Sequence, residues 1–426
     1  TNPSQAPANP QTPRPRRPPP PGPKTVKTGL AKPWLYFREL SAQYGDIVSV
    51  PGLSSSPTTI VLGSARTAWD LLERRGAVYS SRPRFVVGGE LLSGGLRGLM
   101  APYGDFWRHW RRLLHSGFMQ RRSASYRPIQ RLESAVLARD LLRDPRGVPG
   151  ASGEHPGQIR RREVPSAQVY PDCFCLLEGR SAQAAPKGHT AVYGSLERYQ
   201  GQGCERRRNA LFHDAPSRGT GGFRHVGFGA RIQRGLAIRC GHRNGKLAPN
   251  PKSTAGTLAS FFLACVKFGH NFIPRAQEEL DRVIGRDRLP TFEDMEDLEY
   301  IRAVASETLR WRPGAVLGGT PHASTADDVY NGMFIPKGST IIAPLWTIHL
   351  NEKDFPEPHE FKPERFLEER DFPGTLGHTA FGWGRRFCPG MHLGAASINL
   401  NIARILWAFN VSPAKDETGQ DIDVDM

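Results

Sequence analysis

The chain has 426 residues, with 57 lysines and arginines against 41 aspartates and glutamates, a formal charge of +16 and a sequence pI near 9.9. Hydrophobic residues make up 38%, which supports a sizeable core, and the composition excludes a collagen, a coiled coil and a multi-span membrane protein. So large a positive charge suggests nucleic acid or an anionic membrane surface as a partner, so its position along the chain must be settled first.

The positive charge is concentrated in two segments. Residues 1–24 carry four basic residues and no acidic one, and residues 146–252 carry 18 basic residues against 7 acidic ones. The rest of the chain holds 35 basic and 34 acidic residues and is almost neutral. The charge therefore says little about a partner of the main body, and we do not expect nucleic acid to be one.

The first 24 residues form a basic, proline-rich segment with ten prolines. Proline lacks an N–H group and has a fixed φ, so such a segment prefers extended polyproline geometry to helix or sheet. Two interpretations stay open: a disordered tail, or a semi-rigid spacer beside a membrane face. The sequence contains no run of about 18 apolar residues that could span a bilayer. Because it begins with Thr1, we expect an upstream piece, such as an anchor, to be missing.

Residues 25–145 show ordinary patterns of folded protein. The runs DIVSV and TTIVLG are β-rich and separated by Pro, Gly and Ser, which predicts a hairpin. The run SARTAWDLLERRG has helical spacing, with Gly76 where a helix would end. YGDFWRHWRRLLHSGF predicts a second helix, in which aromatic and basic residues alternate.

Residues 146–252 differ from the rest of the chain. Seventeen of these 107 residues are glycine, and no helical or strand period is sustained for long. The segment is a disordered basic insert, an RNA-binding Arg/Gly segment, or sequence translated out of frame. We favour the last, because a helical pattern resumes abruptly at its end. The four cysteines of this segment fit no common zinc spacing, and the six in the chain suggest free thiols rather than a disulfide framework.

After residue 252 the pattern is again regular. STAGTLASFFLACVKF and PRAQEELDRVIG predict two helices, the second ending at Gly285. TFEDMEDLEYIRAVASETLRW predicts a third, begun by a capping box of Thr291 and Asp294. Residues 313–350 are β-rich, residues 351–390 loop-like, and HLGAASINLNIARILWAF predicts a final helix. The fold class is therefore mainly α with a small β part.

The run FGWGRRFCPG places one cysteine, Cys388, in a glycine-rich loop directly before a helix. Unpaired N–H groups at a helix start favour a thiolate, and Arg386 is a cation two residues away. Gly384 and Gly390 permit tight turns around the sulfur. A thiolate held in this way suits a soft axial ligand of haem iron. A lone cysteine is more often a buried structural residue, but the complete spacing F-x-x-G-x-R-x-C-x-G favours the ligand.

With this decapeptide the chain resembles the cytochrome P450 family, whose haem-binding signature it matches at Phe381, Gly384, Arg386, Cys388 and Gly390. The resemblance implies that Cys388 is the axial ligand of haem iron. It also implies a cytochrome P450-like fold with haem between the oxygen-binding helix and the cysteine loop. It covers about residues 18–145 and 253–415, and is especially close to microsomal-type fungal members. We therefore expect one domain over 25–426, with 146–252 anomalous.

Two further matches concern buried charge. ETLR places Glu307 and Arg310 three residues apart on one helical face, where they can pair. Such a pair is usually a solvated surface bridge. The resemblance implies instead that Arg365 in FKPERF joins them in a buried network that supports the cysteine loop.

Three more residues match haem-contacting positions of the family. Trp107 and Arg111 in WRHWR correspond to the W-x-x-x-R helix that reaches a haem propionate. His322 in GTPHAS stands where many relatives have a propionate-binding basic residue. Considered alone, Trp107 could equally be a core residue and His322 a hydrogen-bonded loop histidine.

The oxygen-activating helix is where this chain departs from the family. Relatives have A-G-x-[DE]-T-T, which supplies an acid and an alcohol for proton delivery. Here Lys252 occupies the acid position and Ser253 the first alcohol position. Pro249-Asn250-Pro251 precedes them and cannot continue a helix upstream. Ser253 is the remaining candidate for a catalytic hydroxyl.

The resemblance implies a haem-thiolate monooxygenase that inserts one oxygen atom of O2 into a small apolar organic substrate. The electrons would come from an NADPH-dependent cytochrome P450 reductase, docked on Arg108, Arg112 and Arg385. It further implies the cytoplasmic face of the endoplasmic reticulum membrane and a role in secondary metabolism. The alternative is a catalytically defective haem-binding relative with a disrupted distal half.

Overall fold

The computed structural model describes residues 32–50, 58–143, 158–161, 251–368, 379–415 and 418–422. The predictions for the proline-rich segment, and for nearly all of 146–252, concern residues outside these ranges. The exceptions are a four-residue strand, Gln158–Arg161, and residues 251–252, which begin a helix.

The described part of the chain is mainly helical, as the sequence predicts. Its α-helices are α1 (Pro33–Tyr44), α2 (Ala65–Ala68), α3 (Gly76–Tyr79), α4 (Asp105–Phe118), α5 (Gln120–Ser123), α6 (Arg127–Arg143), α7 (Pro251–Val283), α8 (Glu299–Trp311), α9 (Leu345–His349) and α10 (Met391–Ala408). Single π-helical turns cover Trp69–Arg74 and Val86–Leu91. None of these helices has the length and apolar character that crossing a bilayer requires.

The β part consists of short strands in small sheets. The strands are β1 (Ile47–Val50), β2 (Thr59–Leu62), β3 (Gln158–Arg161), β4 (His322–Ala323), β5 (Asp328–Tyr330), β6 (Met333–Ile335), β7 (Thr340–Ile342) and β8 (Phe409–Ser412). The largest sheet has the order β1-β2-β7-β4, with β2 parallel to β7 and the other pairs antiparallel. The hairpin predicted from DIVSV and TTIVLG is β1–β2, so this prediction is confirmed.

The prediction that a helix ends at Gly76 is wrong. A π-helical turn follows α2, with the N–H of Arg75 donating to the carbonyl of Asp70 at 3.1 Å, and Gly76 then begins α3. The wider turn absorbs the change of direction that a left-handed glycine would otherwise provide. Gly76 therefore has no capping role.

The prediction of two helices after residue 253 is also wrong, because α7 runs unbroken through Pro274. An internal proline costs about 3 kcal/mol by removing one hydrogen bond. Here Phe272, Ile273 and Ala276 are all buried on either side of it, and packing against α8 and α10 offsets that cost. The expected end is confirmed at Gly285, whose φ of +72° is left-handed.

The start of α8 is stabilised from another helix. Asp294 accepts hydrogen bonds from the N–H and hydroxyl of Thr291, but this capping box begins a short 3-10 turn rather than α8. The buried carboxylate of Glu279 on α7 instead accepts the N–H groups of Tyr300 and Ile301, at 2.8 and 3.0 Å. A carboxylate favours the positive end of a helix, so this contact fixes α8 against α7.

The main core lies where α6, α7, α8 and α10 pack together. An apolar face of α8 is buried against this core; it comprises Leu298, directly before the helix, and Ile301, Val304 and Ala305 within it. An aromatic group closes one end of this core, with the Phe361 ring 4.8 Å from Phe272 and 5.9 Å from Trp311. Phe361 belongs to the segment that follows α9, so this group attaches that segment to the helices.

We expect Phe361→Ala to lower the free energy of unfolding by about 3–5 kcal/mol, because it leaves a cavity among large aromatic rings. Denaturant titration of the haem-free protein measures the loss. The control is Leu113→Ala at a side chain 59% exposed on α4, which should change stability by about 0.5 kcal/mol or less. Equal effects of the two substitutions would contradict this account of the core.

Candidate functional site

Cys388 lies in a loop that folds back on itself immediately before α10. Its N–H donates to the carbonyl of Phe381 at 2.7 Å, and its carbonyl accepts the N–H of Met391, the first residue of α10. A 3-10 turn, Gly384–Arg386, lies between these contacts. The loop is thus closed by its own backbone, with the sulfur beside the start of the helix.

Two glycines give this loop its shape, and they are not the two that the motif suggests. Gly384 has a φ of +51°, and a Cβ there would lie 2.3 Å from the carbonyl oxygen of Leu72. Gly382, with a φ of +86°, makes the other left-handed turn. Gly390 has an ordinary φ of −87°, and a Cβ there would meet only the Cys388 sulfur, at 3.9 Å. Only Gly384 and Gly382 therefore need glycine for backbone reasons.

The Cys388 thiol is reachable by solvent, yet surrounding protein atoms raise its pKa through burial. A side chain with both properties lines a concave surface. The N–H of Gly390 and the charge of Arg111 oppose the increase in pKa but do not overcome it. The helix start therefore favours the thiolate as expected, but burial outweighs it, and the expectation for Arg386 is wrong. The cation that acts on the sulfur is Arg111.

Helix α4 brings Arg111 and Trp107 to the cysteine loop. The Arg111 guanidinium donates to the carbonyl of Phe387 at 2.8 Å and lies over the Phe387 ring at 4.5 Å. One helical turn before Arg111, the guanidinium of Arg386 stacks over the buried Trp107 ring, 4.1 Å from its centre. The W-x-x-x-R spacing thus presents both side chains to the two residues nearest the sulfur.

Arg386 is held by main-chain carbonyls. Its Nε donates to Ser80 at 2.7 Å and its Nη2 to Ala101 at 2.9 Å. Burial, followed by the neighbouring charges of Arg82 and Arg111, lowers the pKa of Arg386 to about 9. Neutral carbonyls satisfy its hydrogen bonds but do not balance its charge.

Arg82 is a site residue that the sequence does not single out. Its Nη1 donates to the carbonyls of Thr320 and Pro321, at 2.5 and 3.0 Å, while its Nε is buried without a hydrogen-bond partner. Burial lowers the pKa of this guanidinium to about 10. Nothing in the local sequence distinguishes Arg82 from the other basic residues of the chain, several of which also precede a proline.

His322 lies on β4, where its Nδ1 donates to the carbonyl of Tyr79 at 2.8 Å. Burial first, and then the charges of Arg82 and Arg386, lower the pKa of His322 to about 3. The imidazole is therefore neutral at physiological pH. Tyr79 and Ser80 are adjacent, so one stretch of backbone holds both His322 and Arg386.

Arg82, Arg111, Arg386 and His322 form a set that we call the basic cluster. Across the described ranges, no carboxylate forms an ion pair with any of its three arginines. Burying positive charge without a counter-ion is costly, as the lowered pKa values show. The cluster therefore has the chemistry of a binding site for an anionic ligand.

A second charged group, which we call the Glu307 network, differs in that both of its guanidinium groups pair with a carboxylate. Arg310 donates to both carboxylate oxygens of Glu307, at 2.6 and 2.7 Å, and Arg365 donates to Oε1 at 3.2 Å. The N–H of Lys362 adds a bond to the same oxygen at 2.8 Å. Glu307 and Arg310 are completely buried, so the pair is not a solvated surface bridge. Three carbonyls take the other N–H groups of Arg310; they belong to His349, Pro358 and Glu360.

The structure thus brings the candidate residues into two groups, one at the sulfur and one at the Glu307 network. Phe381 joins the first, with its ring packed near Gly394 of α10. Ser253 and Lys252 lie in the first turn of α7, and their side chains are outside the described residues. The prediction for Ser253 stays a prediction.

The known proteins that this chain resembles in sequence and in fold belong to one family. Residues 252–426 match the model of the family named Cytochrome P450. A cytochrome P450 monooxygenase of Armillaria gallica is 35% identical over 93% of this chain and 83% of its own length. Cytochrome P450 monooxygenase FrzL of a Cladobotryum species is 32% identical over 96% and 84%. A zebrafish cytochrome P450 solved with abiraterone shares the fold, with a TM-score of 0.57 and 24% identity over 92% of this chain and 95% of that one.

We expect Gly384→Ala and Gly390→Ala to differ, although both glycines belong to the motif. Alanine at 384 meets a left-handed backbone and the Leu72 carbonyl, so it should cost about 2 kcal/mol or more. Alanine at 390 should cost less than about 1 kcal/mol, the value for a weaker helix cap. Urea unfolding of the haem-free variants measures both, and equal losses would refute the assignment.

We also expect His322 to make the haem-free protein sensitive to acid. The pKa of this histidine is about 6.5 in the unfolded chain, whereas burial lowers the pKa to about 3 in the folded protein. Stability should therefore fall as the pH drops from 6.5, by at most about 1.4 kcal/mol per unit from this group. His322→Gln keeps a donor for Tyr79 but cannot titrate. Urea unfolding at pH 7, 6 and 5 should show a shallower decline for this variant, and parallel declines would contradict the prediction.

Proposed function

The chain belongs to the cytochrome P450 family, and from this premise we propose that Cys388 is the axial ligand of its haem iron. The protein is a cytochrome P450 monooxygenase, an oxidoreductase with haem as its cofactor. The observation that carries the proposal is the juxtaposition of an accessible, concavely placed thiol with the uncompensated basic cluster. A haem needs both: a soft ligand for iron and cations for its two propionates.

The residues present fit this cofactor. The two propionates of haem are carboxylates, and the buried Nε of Arg82 has a donor to offer. We propose that Arg82, Arg111, Arg386 and neutral His322 hold them, with Trp107 supporting Arg386. Charge-assisted bonds from arginine to a carboxylate are strong and shape-specific. The cost of burying these cations would then be offset when the cofactor binds.

Bound haem, with a thiolate behind it, supplies the chemistry that activates dioxygen. The protein has to hold the sulfur and remove its proton. Cys388 would bind haem iron as a thiolate, so the thiol would have to release its proton to solvent, which it can reach. The Gly390 N–H and Arg111 would favour the sulfur's negative charge, and the closed backbone of the loop fixes its position.

For the Glu307 network we propose a structural role. Its charges are satisfied within the protein, so it has none to offer to a ligand. It joins α8 to the segment 358–365, and the network and the basic cluster share no residue. Its contribution is to retain the haem by keeping the loop region folded.

The alternative, a haem-binding relative that does not turn over, is favoured by one observation. Lys252 replaces the acid of the oxygen helix, and Pro251 is the first residue of α7. The run Pro249-Asn250-Pro251 is unsuited to continuing a helix upstream, where relatives continue it. Ser253 would have to serve as the hydroxyl for proton delivery without an acidic neighbour. This alternative differs from the main proposal in turnover, not in the binding of haem.

We propose a flavoprotein reductase that uses NADPH as the electron donor, docked where α4 meets the cysteine loop. Arg108 and Arg385 both lie over the ring of Tyr103, at 5.6 and 5.4 Å, and Arg112 is exposed on the same helix. Together they give a cationic surface beside Cys388.

The substrate would be a small apolar molecule of secondary metabolism, and the site of action the cytoplasmic face of the endoplasmic reticulum membrane.

The test is the spectrum of the reduced, haem-loaded protein with carbon monoxide. We expect the red-shifted Soret band that marks a thiolate ligand, and its loss in Cys388→Ala. Cys265→Ala removes a buried thiol from α7 and should keep the band. A wild-type protein that binds haem without this band would overturn the proposal. A wild-type protein that shows the band but oxidises no substrate with its reductase would favour the defective relative.

A further inference from the structure

A chain of hydrogen bonds connects the Glu307 network to the cysteine loop. It passes through two residues that have had no role so far, His349 at the end of α9 and Thr379 at the start of the loop. Both side chains are buried, His349 completely and Thr379 to all but 4%. Because neither contacts solvent, both need partners within the protein.

His349 and Arg310 bind each other twice. The Nη1 of Arg310 donates to the carbonyl of His349 at 3.0 Å, and the Nδ1 of His349 lies 3.0 Å from the carbonyl of Arg310. A carbonyl only accepts, so Nδ1 carries the proton. In the neutral ring, Nε2 is then an acceptor. The Glu307 network thus sets the tautomer of this histidine.

The Nε2 atom of His349 lies 2.8 Å from the hydroxyl of Thr379, which therefore donates to it. The carbonyl of Thr379 accepts the N–H of Gly382 at 2.9 Å, which forms the first turn of the loop. The next link is Phe381, whose carbonyl accepts the N–H of Cys388. The path from Arg310 to the residue that carries the sulfur is thus continuous.

The ring of His349 also packs against an aromatic side chain. It meets the Phe355 ring edge to face at 5.9 Å, and the guanidinium of Arg310 lies 5.4 Å from the Phe355 ring. The imidazole is therefore fixed by both of its nitrogens and by this contact. If the Glu307 network or Thr379 shifts, the imidazole must shift with it or one of these bonds breaks.

We infer that His349 and Thr379 are positioning residues that fix the cysteine loop against the Glu307 network, an inference that rests on the proposed role of Cys388 as ligand. Thr379 supplies the only side-chain hydrogen bond in this path that enters the loop. Its removal releases the first turn of the loop and, through Phe381, the placement of the sulfur. The Glu307 network then acts on Cys388 through a defined route, in addition to stabilising the fold.

The test compares three threonine variants. Thr379→Val removes the hydroxyl at constant shape, and Thr379→Ser keeps it. The matched control is Thr308→Val on α8, at an equally buried threonine whose hydroxyl bonds only within its helix, to Val304 at 2.8 Å. The readout in haem-free protein is the rate at which a thiol reagent labels Cys388, followed by mass spectrometry of its peptide.

We expect Thr379→Val to label about fivefold faster than wild type, the population change that one lost hydrogen bond produces. Without this bond the loop opens more often, and each opening exposes the sulfur to the reagent. Thr379→Ser and Thr308→Val should label at the wild-type rate. His349→Phe should resemble Thr379→Val, and the double variant should be no faster than the faster single one, since both remove the same bond.

The haem-loaded proteins give a second readout. A larger share of Thr379→Val than of Thr308→Val should lack the thiolate band with carbon monoxide. If Thr379→Val and Thr308→Val behave alike in both measurements, the positioning role is refuted while the proposed function stands. Wild-type protein without the thiolate band would refute the proposed function, and the labelling rates alone would then decide whether the route to Cys388 exists.

Discussion

The completely buried carboxylate of Glu307 determines how α8, the end of α9 and the segment 358–365 pack against one another. Removing a carboxylate and two guanidinium groups from water costs several kcal/mol per ion, so the arrangement is stable only when every polar atom has a partner. That condition ties α8 to the backbone of 358–365 and to the end of α9. Through His349 and Thr379 the same condition extends to the loop that carries Cys388.

The basic cluster obeys the opposite rule. Its guanidinium groups have carbonyl partners but no carboxylate within the described parts of the chain, and burial lowers the pKa values of Arg82 and Arg386. The haem-free protein therefore carries a free-energy cost that an anionic ligand removes. Because a ligand that binds only the folded state stabilises it, relief of this cost would add to the affinity for the propionates that we propose these cations bind. Backbone carbonyls hold each cation in place: those of Ser80 and Ala101 hold Arg386, and that of Phe387 holds Arg111.

The parts of this structure that sequence could predict are those whose signal is local. The cysteine loop, the W-x-x-x-R helix and the Glu307–Arg310 pair each lie within ten residues, so a resemblance to family motifs can find them, although the spacing of the last two alone fits an ordinary core residue or surface pair equally well. Arg82 contacts carbonyls 238 residues away and His349 contacts Thr379 30 residues away, and no local pattern marks either. The helix through Pro274 fails as a prediction for the same reason, since long-range packing outweighs the local cost of proline.

The Glu307 network and the basic cluster also differ in whether their charges are paired before a ligand binds. The Glu307 network is satisfied without any ligand, so its contribution to stability is present as soon as α8 and the segment after α9 have met. The basic cluster gains its counter-charge only when the cofactor arrives. A loop positioned by the first group and a ligand attracted by the second need not be fixed at the same time, and neither group contains Lys252 or Ser253. On our proposal the haem-binding residues can therefore be complete in a chain whose oxygen helix has Lys252 where the family has an acid.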